Sequence, residues 1–273
     1  MTAAPPARGE LAATESALAT RPALEARLAP AGRRAVLLDV DFTLLCPDEQ
    51  FSAEGYRAAG ARFGLRLDPR RWHEAESCAA RAVEARRAGR GNVHDDGVYE
   101  VIAEAIVTAM GGDDPDRVAS CAATIVDAWG RCASFSLYHD VRPCLTRLRA
   151  AGLGIGLISN TNRDLGGVLD AFELRGLVDG AVTSAQVGLF KPAPEIFAAA
   201  LACIGAAAGE TVMVGDSYHD DVEGALAAGL SAVLLDRAGG RPLAVPGTRE
   251  APCIGSLDEL PGLLGLPSQT GSA

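Results

Sequence analysis

One apolar run, Ala35-Val36-Leu37-Leu38, stands alone near the start of the chain and constrains the fold more than any other segment. A strand buried on both faces is continuously apolar, and this run ends abruptly at Asp39 and Asp41. Its immediate neighbours offer it no sheet. Residues 48–139 read as helical, with apolar residues at helical spacing from Phe51 to Phe63, Pro69 to Arg87, Val98 to Met110 and Pro115 to Trp129, and nothing there alternates like a strand. From Val141 the pattern changes. Helices are expected from Arg142 to Ala151, Arg163 to Phe172, Pro194 to Ile204 and Asp221 to Ala228, and strands from Leu153 to Ser159, Gly180 to Ser184, Thr211 to Gly215 and Ser231 to Leu235. Such alternation specifies an α/β fold, a mostly parallel sheet with helices on both faces. The early strand joins that sheet, which makes residues 48–139 an inserted all-helical domain. The core is then split between residues 34–47 and 140–266. An Ala/Pro/Arg-rich tail over 1–33, with a helix from Ala12 to Leu28, and a disordered tail over 267–273 complete the organisation.

Charge narrows the function. A net charge of −10 disfavours a nucleic-acid partner or an anionic membrane surface. No run approaches the ~18 apolar residues that cross a bilayer, and the N-terminus lacks a signal peptide's apolar centre. The seven cysteines show no C-x-x-C spacing, which fits thiols kept reduced in a cytoplasmic protein.

The polar residues at the strand ends carry the chemistry. Residues two apart on an extended chain point the same way, so Asp39 and Asp41 share a face. Their repulsion must be offset by a cation or by protonating one of them. The second strand ends in Ser159-Asn160, which alone reads as a helix cap. Lys191, before Pro192, alone reads as a solvated loop lysine. Gly215-Asp216 alone reads as a turn, and Asp220-Asp221 as favourable charge at a helix start. All four in order, each after a strand of one sheet, read instead as a ligand site at the carboxyl ends of the strands.

On these motifs the chain resembles the haloacid dehalogenase superfamily, whose largest class is phosphatases. Asp39, Asp41 and Thr43 match motif I, Ser159 motif II, Lys191-Pro192 motif III, and Gly215, Asp216, Asp221, Gly224 and Ala225 motif IV. Asp220 departs from the asparagine frequent there. The resemblance implies a Rossmann-like core with a C1-type helical cap. It implies that Asp39 is the nucleophile that forms an aspartyl phosphate, and that Asp41 is the general acid and base. It also implies Mg²⁺, held by the Asp39 carboxylate, the Asp41 backbone carbonyl and the Asp216 carboxylate, with Asp221 acting indirectly. Ser159 and the Asn160 backbone amide would hold phosphate oxygens, and Lys191 would neutralise charge. Thr43 orders the motif I loop and is grouped with the phosphate-binding residues.

The expected reaction is hydrolysis of a small-molecule phosphate monoester. Dehalogenating relatives lack the second motif I aspartate, so Asp41 favours phosphoryl transfer over carbon–halogen cleavage. A phosphomutase resembling β-phosphoglucomutase uses the same core groups, and a noncatalytic binding protein would have lost one of them. Substrate choice belongs to the cap, where Arg71, His73, Arg90, Asn92 and His94 are candidates beside a solvated-surface reading for each. His219 either lines the entrance or is an exposed loop histidine. The substrate, the pathway and the oligomeric state are not written in these motifs.

Overall fold

The computed structural model describes residues 32–237 and 251–267. The expected tails, with the Ala12 to Leu28 helix, lie outside these residues except for Gly32, Arg33 and Pro267. Six parallel strands form the central sheet: β1 (Ala35–Leu38), β4 (Gly154–Ser159), β5 (Gly180–Thr183), β6 (Thr211–Gly215), β7 (Ser231–Leu235) and β8 (Cys253–Ile254). Their spatial order is β5-β4-β1-β6-β7-β8. The early strand is therefore central, with Leu38 in register with Leu157 on one side and Val214 on the other. The chain runs outward from β1 to β5, then returns across β1 to begin β6. Connections leave in opposite directions at this point, and a crevice opens at the carboxyl end of the central strand.

Alternation along β1 explains the two layers of packing. Val36 and Leu38 enter one apolar cluster, which includes Leu145 and Leu148 of α5 (Val141–Ala150) and Val168 of α6 (Leu165–Ala171). Leu37 faces the other, with Ile196 and Phe197 of α8 (Pro194–Ile204). Helix boundaries follow local chemistry. The Asp164 side chain accepts from the Gly166 and Gly167 amides at the start of α6, and Thr183 and Gln186 form a reciprocal capping box at α7 (Ser184–Val187). Pro194 occupies the first turn of α8, where the missing N–H costs nothing.

Four helices, α1 (Ala53–Arg62), α2 (Trp72–Ala88), α3 (Gly97–Ala109) and α4 (Pro115–Trp129), lie between β1 and β4 in the chain. The expectation that residues 48–139 hold no strand does not stand. Phe135–Leu137 (β3) pairs antiparallel with Leu45–Pro47 (β2), making a two-stranded ribbon where the chain enters and leaves the helical layer. Three residues per strand are too few to show alternation in sequence. The short strand β8 was likewise not foreseen. Pro69–Arg71 forms a separate 3₁₀ turn ahead of α2 rather than part of it.

The helix expected from Asp221 to Ala228 also differs. Tyr218–Glu223 forms a π-helical turn that leads into α9 (Gly224–Ala227). Its wide gauge shows in the bond from the Val222 N–H to the Ser217 carbonyl, 3.3 Å.

Asp140, 1% exposed, ties the C-terminal segment to this frame. It receives both arms of the Arg237 guanidinium (2.9 and 3.0 Å), the Ser256 hydroxyl (2.7 Å) and the Leu257 amide (2.9 Å). Burial would raise its pKa, but these donors hold it below the ordinary aspartate value. The stability it contributes is complete above the unfolded pKa of ~3.9 and is lost as pH falls through the lower folded value. We expect Asp140→Ala to cost about 3 kcal/mol in urea unfolding at neutral pH, because Arg237 loses its partner. The deficit should shrink as pH falls from ~4 toward the lower value at which folded Asp140 protonates. A pH-independent deficit would mean that its charge is not what binds this segment.

Candidate active site

Three neighbouring strand ends deliver the site. Asp39 follows β1 and donates its amide to the Val214 carbonyl of β6 at 2.9 Å; Ser159 closes β4, and Asp216 follows β6. Lys191 enters from the loop before α8. Its ammonium, 2% exposed, donates to Asp39 Oδ1 and Asp221 Oδ1 at 2.6 Å each, and to the Ile158 carbonyl at 3.2 Å. Burial alone would lower its pKa, but the charges of Asp221 and Asp39 hold it above the usual lysine value. The π-helical turn aims Asp221 inward, and its second oxygen accepts the Ser217 amide at 3.0 Å. Gly215 permits this closeness: a Cβ there would sit 2.2 Å from Asp221 Oδ2.

Asp41 stands at the cavity edge, hydrogen-bonded to the buried guanidinium of Arg163. Arg163 lies 4.5 Å from the centroid of the Phe135 ring and 5.9 Å from that of Trp129. Burial raises the Asp41 pKa, Arg163 opposes the rise, and Asp39 adds to it; the balance is upward. Between Asp41 and Thr43, Phe42 adopts φ +61° with 45% of its surface exposed.

The structure brings Asp39, Asp41, Ser159, Asn160, Lys191, Asp216 and Asp221 to one cavity of about 450 Å³. Thr43 is not brought there. It is fully buried, Arg237 holds its carbonyl at 2.7 Å, and its Oγ1 has no hydrogen-bond partner among the described residues. That position suits ordering the loop rather than touching phosphate. The side chain of Asn160 clamps the neighbouring loop: Oδ1 accepts the Lys191 amide at 2.6 Å, and Nδ2 donates to the Lys191 carbonyl and to Asp220.

Of the helical-layer candidates, none lines the cavity. Arg71 pairs with Glu74, His73 with Glu76 and Arg90 with Asp95, all at the surface. Asn92 and His94 instead join the layer to the core. Asn92 accepts the Phe190 amide (2.7 Å), the His94 amide donates to Gly188 (2.8 Å), and Val93 bridges Leu189. The His94 ring meets Ser184 at 2.9 Å. His219 is exposed beside Glu223. Two functional arginines were missed. Arg163 holds Asp41, and Arg87 makes a bidentate pair with Asp220 at 2.9 and 3.2 Å. Neither has a sequence signal, since each partner lies far away in the chain. Arg87 also gives Asp220, the departure from motif IV, a role that asparagine could not fill as an ion pair.

The donor set suits a hard cation. One oxygen from each of Asp39, Asp216 and Asp221 lies within 4.8 Å of the others. Three carboxylates face one lysine. Burial first, then the charges of Asp39 and Asp221, pushes Asp216 up to about 8, and burial likewise raises Asp221. A bound divalent ion would reverse that penalty, and its preference for oxygen ligands matches the cluster.

Comparison with known proteins agrees with this geometry. The profile of the haloacid dehalogenase-like hydrolases matches residues 33–229. The chain belongs to that family. As a haloacid dehalogenase-like hydrolase it is an enzyme, and its motifs lie at the strand ends described above. It is 30% identical over 206 residues, 74% of this chain and 84% of the other, to ribulose-1,5-bisphosphate 5-phosphatase of Halopiger xanaduensis. Phosphoserine phosphatase of Thermus thermophilus is 36% identical over 110 residues, 38% of this chain and 42% of that protein. N-acylneuraminate-9-phosphatase of Rattus norvegicus is 31% identical over 162 residues, 59% of this chain and 64% of that protein. Among solved structures, the magnesium-bound HAD-hydrolase YfnB of Bacillus subtilis shares the fold with a TM-score of 0.64 at 19% identity, over 86% of this chain and 99% of the other. The L-2-haloacid dehalogenase RSc1362 does so with the same TM-score at 20% identity, over the same shares. No helix among the described residues is long and apolar enough to cross a membrane.

Two stability predictions follow from the buried cluster. Lys191→Met strands Asp39 and Asp221 without their cation and should cost about 3–5 kcal/mol in urea unfolding. Gly215→Ala should cost about 1–3 kcal/mol by displacing Asp221. Wild-type stability in either variant would mean that the cluster relaxes without loss and the packing argument is wrong.

Proposed function

We propose that this hydrolase is a magnesium-dependent phosphatase that cleaves a small-molecule phosphate monoester through an aspartyl phosphate on Asp39. The observation that carries the reading is the pairing of two motif I carboxylates in different surroundings. Asp39 is ion-paired to Lys191, while burial raises the pKa of Asp41, which is held by Arg163 and faces the same cavity. A carboxylate nucleophile beside a carboxylic acid is the division of labour that phosphoryl transfer to an aspartate needs.

In the first step Asp39 attacks phosphorus and the ester P–O bond breaks. Asp41 donates its proton to the departing oxygen. In the second, water attacks phosphorus and gives a proton to Asp41 while the bond to Asp39 breaks, releasing inorganic phosphate. Lys191 offsets negative charge at Asp39 throughout, and Ser159 and the Asn160 amide hold phosphate oxygens. Arg163 fixes the orientation of Asp41. Asp39, the Asp41 carbonyl and Asp216 would hold Mg²⁺. Both Asp221 oxygens already accept bonds from Lys191 and Ser217, which supports its indirect part. When bound, the ion lowers the repulsion between carboxylate and phosphate. The four-helix layer serves as the cap, closing over the cavity from which water must be kept. A small phosphorylated metabolite in a reducing cytoplasm is the setting that fits the closed cavity and the dispersed thiols.

Phosphate release should require magnesium, stop with a chelator, and fall at least about a thousandfold in Asp39→Asn. Release that persists in Asp39→Asn would sink the covalent route. Asp41→Asn should slow esters of aliphatic alcohols far more than p-nitrophenyl phosphate, whose acidic phenol leaves without help. Equal slowing of both, measured as kcat/KM, would remove Asp41 from the acid role.

A further inference from the structure

Resting on the phosphatase reading, we propose that the substrate is the phosphate ester of an uncharged, largely apolar alcohol or phenol bearing a ring. The charge around the cavity is the first ground. Among the described residues, six carboxylates line it (Asp39, Asp41, Glu76, Asp216, Asp220 and Asp221), and Lys191 is the one basic side chain. Lys191 is already shared by Asp39 and Asp221. The nearby arginines are engaged elsewhere, Arg87 with Asp220 and Arg163 with Asp41. A second phosphate or a carboxylate on the alcohol would leave water and meet no cation. Esters of the kind named for the bisphosphate and phosphoserine relatives are therefore poor fits.

The walls are the second ground. The helical layer presents Tyr56, Tyr99, Ile102, Ile106, Val126 and Trp129 to the cavity, with Glu76, which pairs with His73, as its one charged side chain there among the described residues. The Tyr99 hydroxyl is engaged with the Asn160 carbonyl at 3.3 Å, so this wall offers little to a polyhydroxylated group. A site built to bind hydroxyls places partners for them; this one places rings and branched chains.

Phe42 is the third. It follows Asp41, the residue that protonates the departing oxygen on the proposed reading, and lines the same cavity. Its ring lies 5.9 Å from that of Trp129. A bulky residue at φ +61° is a strained choice, and this one is 45% exposed while lining the cavity. An aromatic or apolar leaving group would pack against the paired Phe42 and Trp129 rings.

The test uses non-cleavable probes with the full chain in magnesium buffer, so that binding is read apart from turnover. Titration calorimetry should show naphthylmethylphosphonate binding at least tenfold more tightly than phosphonopropionate or propylenebisphosphonate. Phe42→Ala should weaken the naphthyl probe at least fivefold and leave the acidic probes unchanged. Ile106→Arg, which puts a cation in the wall, should narrow the gap between the classes. Acidic probes that bind as tightly as the naphthyl probe, or a naphthyl affinity indifferent to Phe42→Ala, would overturn the inference. Turnover of the matching esters is scored separately. Naphthyl preference without any turnover would sink the hydrolytic reading alone, and turnover favouring acidic esters would sink this inference alone.

Discussion

The Lys191 ammonium is the interaction on which the rest of the site depends. Asp39, Asp216 and Asp221 come from two adjacent strands and the turn after one of them, and their oxygens lie within 4.8 Å. Buried carboxylates at that spacing would repel or protonate without a cation between them. Lys191 touches two of the three, at 2.6 Å each, and anchors to the Ile158 carbonyl. Its own backbone is gripped at both N–H and carbonyl by the Asn160 side chain. Three separate stretches of sequence thus supply acceptors to one nitrogen, and the negative charge left over suits a hard cation.

Above this charged floor the cavity changes character. The charged and polar groups proposed to handle phosphate come mainly from the ends of the parallel sheet, whereas the apolar walls come mainly from the helical layer and Phe42. On the proposed reading the chemistry and the selectivity therefore rest on different parts of the chain.

What was legible in the sequence followed from local rules. That β1 joins the later sheet could be read because an apolar run without a partner must find one, though not that it lies at the centre, and the strand-end acids because such ends host ligands. The β2–β3 ribbon was hidden because three residues carry no period. The π-helical turn was hidden because the contact that accompanies it, Asp221 with Lys191 thirty residues away, is tertiary. Arg163 and Arg87 were invisible for the same reason: each acquires meaning only from an acid more than a hundred positions away. Thr43 shows the converse, a motif residue whose hydroxyl is shut inside the protein and whose carbonyl, held by Arg237, does the positioning.

The contact between Asn92-Val93-His94 and Gly188-Leu189-Phe190 has a mechanical meaning. Two backbone bonds, which pair Val93 with Leu189 as an antiparallel bridge, fasten the tip of the helical layer to the residues immediately before Lys191. Arg87 adds a second tether at Asp220, which also accepts from Asn160, the clamp on Lys191. Any outward movement of the layer would have to break these contacts and would pull on the peptide that leads into Lys191. Access to the cavity and the placing of its ammonium would then be coupled through the same few bonds.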